Sequence, residues 1–275
     1  MKSNDPFIKK IDSQLKKISF SVLGAIDEES KIHTFGTDSK IIGRVFEMFT
    51  QPVIEKVAEE LGYDVNTPTS QNTYPDFILI PKSEANQDNS LKKIAIDVKT
   101  TYRKNDKSQI RLTLGSYCSY MRNNTKNIEG RYTDYIKHYV IGFVYRRNDK
   151  AQESRVFEYN NRGQIIPPYN DVQYFVQEKY KIAGDKPGSG NTENIGTFPT
   201  TDINLLKAGK GPFATLGSDV FDLYWKYYPR YRDQTKNYQT LPEFKIWLSQ
   251  QDNLKALRGT VNIQKICADL SNYFS

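Results

Sequence analysis

Two acidic residues and a lysine form the pattern in this chain that could do chemistry. Asp76 stands at the head of one apolar run, and Asp97 and Lys99 lie within a second run, residues 94–101. Residues two apart in a strand point to the same face, so Asp97 and Lys99 should project together. If the two runs pair as strands, two carboxylates and an ammonium converge. Such a set of hard oxygen ligands suits Mg²⁺ better than softer metals.

This set predicts hydrolysis of a phosphodiester. Carboxylate-bound Mg²⁺ neutralises charge that develops on a phosphate and lowers the pKa of a bound water, while Lys99 can hold that water or stabilise the phosphorane. The alternative is structural: Asp97 and Lys99 form a surface ion pair on a half-exposed strand, and Asp76 merely starts a strand after Pro75. An acid facing inward from a half-buried strand has no structural need, which favours a nuclease.

The composition sets the class of protein. The chain has 275 residues, of which 37% are hydrophobic and 13% aromatic, so we expect a folded protein. No internal repeat or linker marks a boundary, and we expect a single domain over residues 1–275 of the α+β class. The net charge of +7 favours a polyanion such as nucleic acid as partner, although many basic proteins bind none.

Several kinds of site are excluded. Cys118 and Cys267 are the only cysteines, so neither a disulfide framework nor a zinc site is expected, and a reducing cytoplasm is the expected location. His33 and His138 are the only histidines, which excludes a histidine-rich metal centre. Residues 1–17 are polar, and we expect no signal peptide and no membrane partner.

The clearest local signal is a long helix. Asp38 and its neighbours offer capping oxygens, apolar residues recur at helical spacing from Ile42 to Leu61, and Gly62 is placed to end the helix. Pro52 inside this run predicts a kink or two abutting helices.

Other elements follow from periodicity and turn chemistry. Strands are predicted at residues 77–80, 93–101, 109–114, 138–145, 154–159 and 172–182, with loops at residues 82–90 and 184–196. Helices are predicted from a Ser218 cap to about Tyr228, from a capping box of Thr240 and Glu243, and over residues 261–274.

The chain resembles the EcoRV family of type II restriction endonucleases, within the PD-(D/E)xK nuclease superfamily. The resemblance covers residues 18–250 and includes the segments VFEMF (45–49), YPDF (74–77), IAIDVKTTY (94–102), RNNTKNI (122–128), IAGD (182–185) and GSGNTENIG (188–196). It implies a restriction endonuclease-like fold, with a mixed central sheet flanked by helices, in a homodimer. It also implies that Asp76 and Asp97 bind the metal, that Lys99 is the catalytic lysine, and that Glu47 is an additional catalytic and metal-binding acid. Without the family, Glu47 would be a solvated helix carboxylate.

The resemblance implies how DNA is read. Gly188, Gly190, Asn191 and Thr192 match a loop that reads bases in the major groove, where glycines allow close approach and an amide can pair with adenine. Gln71 and Asn72 match a second loop near the minor groove. Both segments could instead be simple connectors. The candidate phosphate contacts are Thr100, Thr101, Tyr102, Ser119, Asn124 and Lys126.

The implied activity is Mg²⁺-dependent cleavage of double-stranded DNA at GATATC, bluntly at the centre and leaving 5′-phosphates, with a cognate methyltransferase in the same host. A homodimer places one site at each strand of a palindrome. Three departures from the family pattern are a longer loop at residues 83–90, the acid Glu193 in the recognition loop, and an extra C-terminal helix at residues 259–275. A structure-specific repair or junction nuclease of the same superfamily, and a DNA-binding protein without catalysis, remain as alternatives.

Overall fold

The computed structural model describes residues 5–70, 72–82, 92–188, 193–250 and 263–274. The helices in these ranges are α1 Pro6–Leu15, α2 Ser39–Glu60, α3 Tyr120–Asn123, α4 Lys179–Ile182, α5 Ile203–Lys207, α6 Phe213–Leu216, α7 Ser218–Tyr227, α8 Leu241–Ser249 and α9 Ile263–Tyr273. The strands are β1 Ala25–Ile26, β2 Lys31–Phe35, β3 Tyr63–Asn66, β4 Phe77–Pro81, β5 Lys93–Tyr102, β6 Thr113–Ser116, β7 Tyr135–Arg147, β8 Glu153–Glu158, β9 Tyr169–Glu178, β10 Ala183–Pro187 and β11 Asn194–Thr197. The predicted α+β class is confirmed.

A mixed sheet forms the centre of the fold. Within the described ranges its five strands run in the order β3-β4-β5-β7-β9. The pair β5 and β7 is parallel, and the other neighbours are antiparallel. The predicted mixed central sheet flanked by helices is therefore present.

Apolar side chains cover both faces of this sheet. One core contains Ile96 and Val98 of β5 together with buried residues of α1 and α2. The other core contains Ala95 and Ile78 and buried residues of β6 and of helices α6 to α9. By the period of two along a strand, Asp97 and Lys99 share the face of Ala95, and Asp76 shares that of Ile78. Residues 94–98 of β5 are thus buried on both faces, where the alternation predicted a half-buried strand, and the alternative of a surface ion pair on a half-exposed strand is not observed at Asp97.

Helix α2 follows the predicted local chemistry. The side chain of Asp38 accepts hydrogen bonds from the N–H groups of Lys40 and Ile41, as an N-cap does. Gly62 follows the last turn with φ of +79°, a left-handed conformation that glycine adopts without steric cost. The helix is continuous across Pro52, so the alternative of two separate helices is not observed.

Several predicted boundaries are wrong. The strand predicted at 109–114 is displaced to β6, and the strand predicted at 172–182 ends at Glu178, where α4 begins. The predicted loop at 184–196 contains parts of β10 and β11, which pair antiparallel. The strand β11 also pairs with β6, about 80 residues earlier in the chain, and local propensity does not encode such pairing. Residues 83–90 lie outside the described ranges.

Helix starts differ in detail from the prediction. Ser218 is the first residue of α7, and Gly217 occupies the N-cap position without a side-chain cap. Thr240 caps α8 by accepting from the N–H of Glu243, but the Glu243 carboxylate accepts from Gln239 rather than completing the predicted box.

The C-terminal helix packs on the body of the protein. Helix α9 buries Ile266 and Leu270 and contacts α6 and α8. In the described part of the chain, no helix combines the length and apolar character that a membrane crossing needs.

Candidate active site

Strand pairing brings the three predicted residues together. Phe77 of β4 pairs with Ile96 of β5, which places Asp76 beside Asp97 across the strands. Oδ2 of Asp76 accepts a hydrogen bond of 2.7 Å from the backbone N–H of Val98. The Lys99 ammonium donates to Oδ1 of Asp97 at 2.7 Å. The predicted convergence of two carboxylates and an ammonium is therefore observed.

Burial and mutual proximity shift the pKa values of the charged groups at this site. Asp97 is only 2% exposed. Burial, and then the neighbouring Asp97 carboxylate, raise the pKa of Asp76 from 3.8 to about 7. Burial opposes the charge of Lys99, but the carboxylates of Asp97 and Asp76 outweigh it and raise the pKa of the lysine above its ordinary value. One positive charge thus faces two neighbouring carboxylates, and ionisation of Asp76 is disfavoured.

A divalent cation fits this arrangement. Oδ2 of Asp97 is buried and has no hydrogen-bond partner in the described structure. A buried carboxylate oxygen without a partner carries a free-energy cost that a bound cation would remove. The donors at the site are carboxylate oxygens, which Mg²⁺ prefers. Within the same ranges, no group of three or more histidine, cysteine, aspartate or glutamate ligands is preassembled, so the site consists of the Asp76 and Asp97 pair.

Glu47 stands apart from this pair. It lies on α2, whose buried residues belong to the core on the opposite face of the sheet. Its carboxylate accepts a hydrogen bond of 2.6 Å from Arg44, and it lines a groove that also reaches Asp76. The negative charge of Glu47 contributes to the raised pKa of Asp76. The structure places Glu47 near the pair, but not in a cluster of three carboxylates.

Aromatic and polar side chains wall the cavity around the pair. The cavity also contains Asn72, Tyr74, Gly115, Ser116, Ser119, Tyr120 and Asn127. The rings of Tyr74 and Tyr120 stack with centroids 4.6 Å apart. This tyrosine wall was not predicted from the sequence, although the position of Tyr74, two residues before Asp76, was a usable signal.

A buried lysine lies behind the wall. Lys179 is 1% exposed, donates a hydrogen bond of 3.2 Å to the Tyr120 hydroxyl, and lies 3.8 Å from the centroid of the Tyr74 ring. Burial lowers its pKa to about 8. Among the described residues, no carboxylate lies within ion-pair distance of it. Lys179 lies in the polar run Gln177 to Lys181, which gave no signal of this burial.

The predicted base-reading residues are only partly described. Gln71, Gly190, Asn191 and Thr192 lie outside the described ranges. Gly188 donates its N–H to the Asn194 carbonyl at 2.8 Å, and a Cβ on Gly188 would lie 2.9 Å from the Cα of Gly196. Gly188 is thus required by the close approach of β10 and β11.

The candidate phosphate contacts differ in burial and in their position relative to the cavity. Ser119 is buried, lines the cavity, and donates to the carbonyl of Lys126 at 2.7 Å. Asn124 accepts from the N–H of Thr133, and Lys126 is exposed. Tyr102 is exposed beside the guanidinium of Arg147, which lies 3.6 Å from its ring centroid. Thr100 and Thr101 are partly buried at the end of β5. Their contacts with phosphate stay a prediction.

Comparison with known proteins identifies the family. The family model described as Restriction endonuclease EcoRV matches residues 16–249. The chain belongs to the EcoRV restriction endonuclease family. The Type II restriction enzyme EcoRV of Escherichia coli is 42% identical over 232 residues, covering 83% of this chain and 91% of that protein.

A solved structure gives a much weaker likeness. The NlaIV restriction endonuclease aligns over 97% of this chain and 86% of its own, with 11% identity and a TM-score of 0.33. A score at this level does not establish a shared fold. The EcoRV family match ends at residue 249, before α9 begins at Ile263.

Proposed function

We propose that this member of the EcoRV family is a type II restriction endonuclease that hydrolyses phosphodiesters of double-stranded DNA with Mg²⁺ and leaves 5′-phosphates. The observation that carries the proposal is the buried, partnerless Oδ2 of Asp97 beside Asp76 and Lys99. The family match and the EcoRV relative support the same activity.

The residues divide the work by chemistry. Asp76 and Asp97 would hold Mg²⁺, with Glu47 reaching from α2 as an additional acid. When bound, Mg²⁺ would supply Lewis acidity toward the phosphate and a more acidic water. Lys99 keeps its proton because both carboxylates favour its charge, so it holds water or stabilises negative charge on phosphate oxygens rather than acting as a base.

Recognition would follow the family pattern. Gly188, Gly190, Asn191 and Thr192 would read the major groove, and Gln71 and Asn72 would approach the minor groove. We propose GATATC as target, cut bluntly at its centre, because the recognition segment matches the family apart from Glu193. A homodimer would present one site to each strand, and bending of the deformable central TA step would add to discrimination. A cognate methyltransferase is expected in the same host.

A mapped digest tests the activity. DNA of known sequence is incubated with the protein and Mg²⁺, and fragment ends are sequenced. Blunt ends at GATATC with 5′-phosphates are expected. Cutting at another fixed sequence would correct the target alone. Cutting that follows branched or damaged DNA regardless of sequence would instead support a repair or junction nuclease.

Substitution of Asp97 tests the site. Asp97→Ala should abolish cleavage while binding of the cut-site duplex stays measurable in Ca²⁺, because the change removes a metal ligand and leaves the DNA-contacting surface. Asp64→Ala is the matched control, since Asp64 is an exposed carboxylate on β3. Wild-type protein that binds DNA and never cuts it in Mg²⁺ would support a binding protein without catalysis.

A further inference from the structure

Glu193 joins three segments of the chain. Its carbonyl oxygen accepts hydrogen bonds from the N–H of Tyr117 at 3.1 Å and from the hydroxyl of Ser116 at 3.3 Å. Its carboxylate Oε1 accepts from the N–H of Tyr231 at 3.0 Å. Burial and a hydrogen bond to the Glu193 carboxylate raise the pKa of Cys118 to about 11, so the thiol stays a donor. Glu193 therefore links the base of the β10–β11 hairpin to the end of β6 and to the segment around Tyr231.

The segment held by Glu193 carries two arginines and one aspartate. Residues 230–233, here called the arginine segment, carry Arg230 and Arg232 in exposed positions. Together with Glu193 they line an open cavity of about 440 Å³. Asp233 accepts from the N–H of Arg230 at 2.7 Å, which closes the segment into a turn. Neither guanidinium forms an ion pair within the part of the chain that the structure describes, so both are available to an anion.

The direction of the Glu193 carboxylate decides its role. An acid near a DNA backbone would repel phosphates and cost affinity. This carboxylate is instead engaged by a backbone N–H and a thiol, at a residue with φ of +53°. A long side chain in the left-handed region is uncommon, and the contacts on three sides hold it there. The contacts of Glu193 therefore connect the β10–β11 hairpin, which is the proposed recognition hairpin, to the arginine segment.

We propose that Glu193 is a positioning residue that couples the recognition hairpin to the arginine segment, so that Arg230 and Arg232 meet the phosphate backbone in register with the hairpin. The inference rests on the proposed DNA-cleaving function and deepens it. It assigns a role to the residue at which this chain departs from the recognition-loop pattern of its family. Arg230 and Arg232 would bind DNA phosphates, and Glu193 would position them so that this binding favours the recognition sequence.

Two substitutions distinguish a positioning role of Glu193 from simple repulsion between its carboxylate and DNA phosphates. Glu193→Asp keeps the charge but shortens the side chain, and aspartate tolerates the left-handed region well. Glu193→Ala removes both the charge and the side chain that contacts Tyr231. A positioning role predicts that both variants bind the cut-site duplex about fivefold more weakly, because each loses the hydrogen bond from the Tyr231 N–H, worth about 1 kcal/mol. Repulsion predicts no change for Glu193→Asp and tighter binding for Glu193→Ala.

Binding is measured in Ca²⁺, with a duplex carrying the sequence that the wild-type protein cuts and with a scrambled duplex. The coupling predicts a loss confined to the cut-site duplex. In an Arg230→Ala, Arg232→Ala background the Glu193→Asp change should alter binding by less than about twofold, because coupled residues are not additive. Glu55→Asp on α2 is the matched control for shortening an acid, and it should bind as the wild type does.

Three results would overturn the proposal. They are unchanged or tighter binding by Glu193→Asp, an equal loss on both duplexes, and an undiminished loss in the background without the arginines. If Glu193→Ala fails to fold by circular dichroism, Glu193→Asp decides alone. Failure of the wild-type protein to bind or cut any duplex would refute the proposed function, and this outcome is distinguishable because it appears without any change at Glu193.

Discussion

Neutralising Asp76 should stabilise the metal-free protein at alkaline pH. The folded state raises the pKa of Asp76 from 3.8 to about 7, first through burial and then through repulsion by Asp97. Ionising Asp76 therefore costs the folded chain more than it costs the unfolded one. At a pKa shift of about three units and 1.36 kcal/mol per unit, the cost approaches about 4 kcal/mol above pH 7.

The pH window follows from the sign of this shift. Below pH 3.8 the carboxyl is protonated in both states and Asp76 costs nothing. As pH rises from about 4 to about 7, the carboxyl of Asp76 ionises in the unfolded chain but stays protonated in the folded chain. The free energy of unfolding therefore falls over this range. Asp76→Asn, which stays neutral, should therefore exceed the wild type by about 2 kcal/mol at pH 5 and by about 4 kcal/mol at pH 8.

Urea denaturation of the metal-free proteins at both pH values measures this difference. Asp64→Asn serves as control, because this side chain is 64% exposed and a similar gain there would indicate a general charge effect. The stability gain should be accompanied by loss of Mg²⁺-dependent cleavage. A difference between Asp76→Asn and wild type that does not change with pH would refute the electrostatic account of the site.

Three further predictions concern the packing around the site. Lys179→Met should stabilise the protein at pH 7 by about 1–3 kcal/mol in urea denaturation, with a smaller gain above pH 10, because burial lowers the pKa of Lys179 to about 8. A net loss at pH 7 would mean that its tyrosine contacts outweigh the cost of burying charge. Phe46→Ala should cost about 3–5 kcal/mol, since Phe46 is fully buried and stacks on Phe143 with centroids 4.4 Å apart. Gly142→Ala should cost about 1–3 kcal/mol, because its Cβ would lie 2.3 Å from the Phe175 ring, and a wild-type melting temperature would show that this ring can move.

The strands β4 and β5, which carry the candidate site, were predictable because the alternation of residue types along a strand is a local property. Alternation along residues 94–101 sets which side chains share a face, and this period holds wherever a strand forms. The N-cap at Asp38 and the glycine at 62 likewise act within a turn of their own helix. These features were therefore predicted with nearly correct bounds.

Other features depended on distant partners. The displaced strand β6 pairs with β11, about 80 residues further along the chain. The sequence of residues 109–116 alone does not predict that pairing. The same holds for the burial of residues 94–98 of β5 on both faces, since the alternation predicted a strand buried on one face only. The buried residues of helix α2 pack on the opposite face of the sheet from Ala95, and only the tertiary structure brings Glu47 of this helix to the groove that reaches Asp76.

The sequence by itself determined that Asp97 and Lys99 lie on one face of a strand, and it indicated Asp76 as their partner if the two strands pair. Only the tertiary structure decided how these groups interact. It buried Asp97, raised the pKa of Asp76, placed Lys179 behind the tyrosine wall, and turned the Glu193 carboxylate toward Tyr231. The physical reason is that spacing is a property of neighbouring residues, whereas desolvation and charge proximity depend on everything packed around a group.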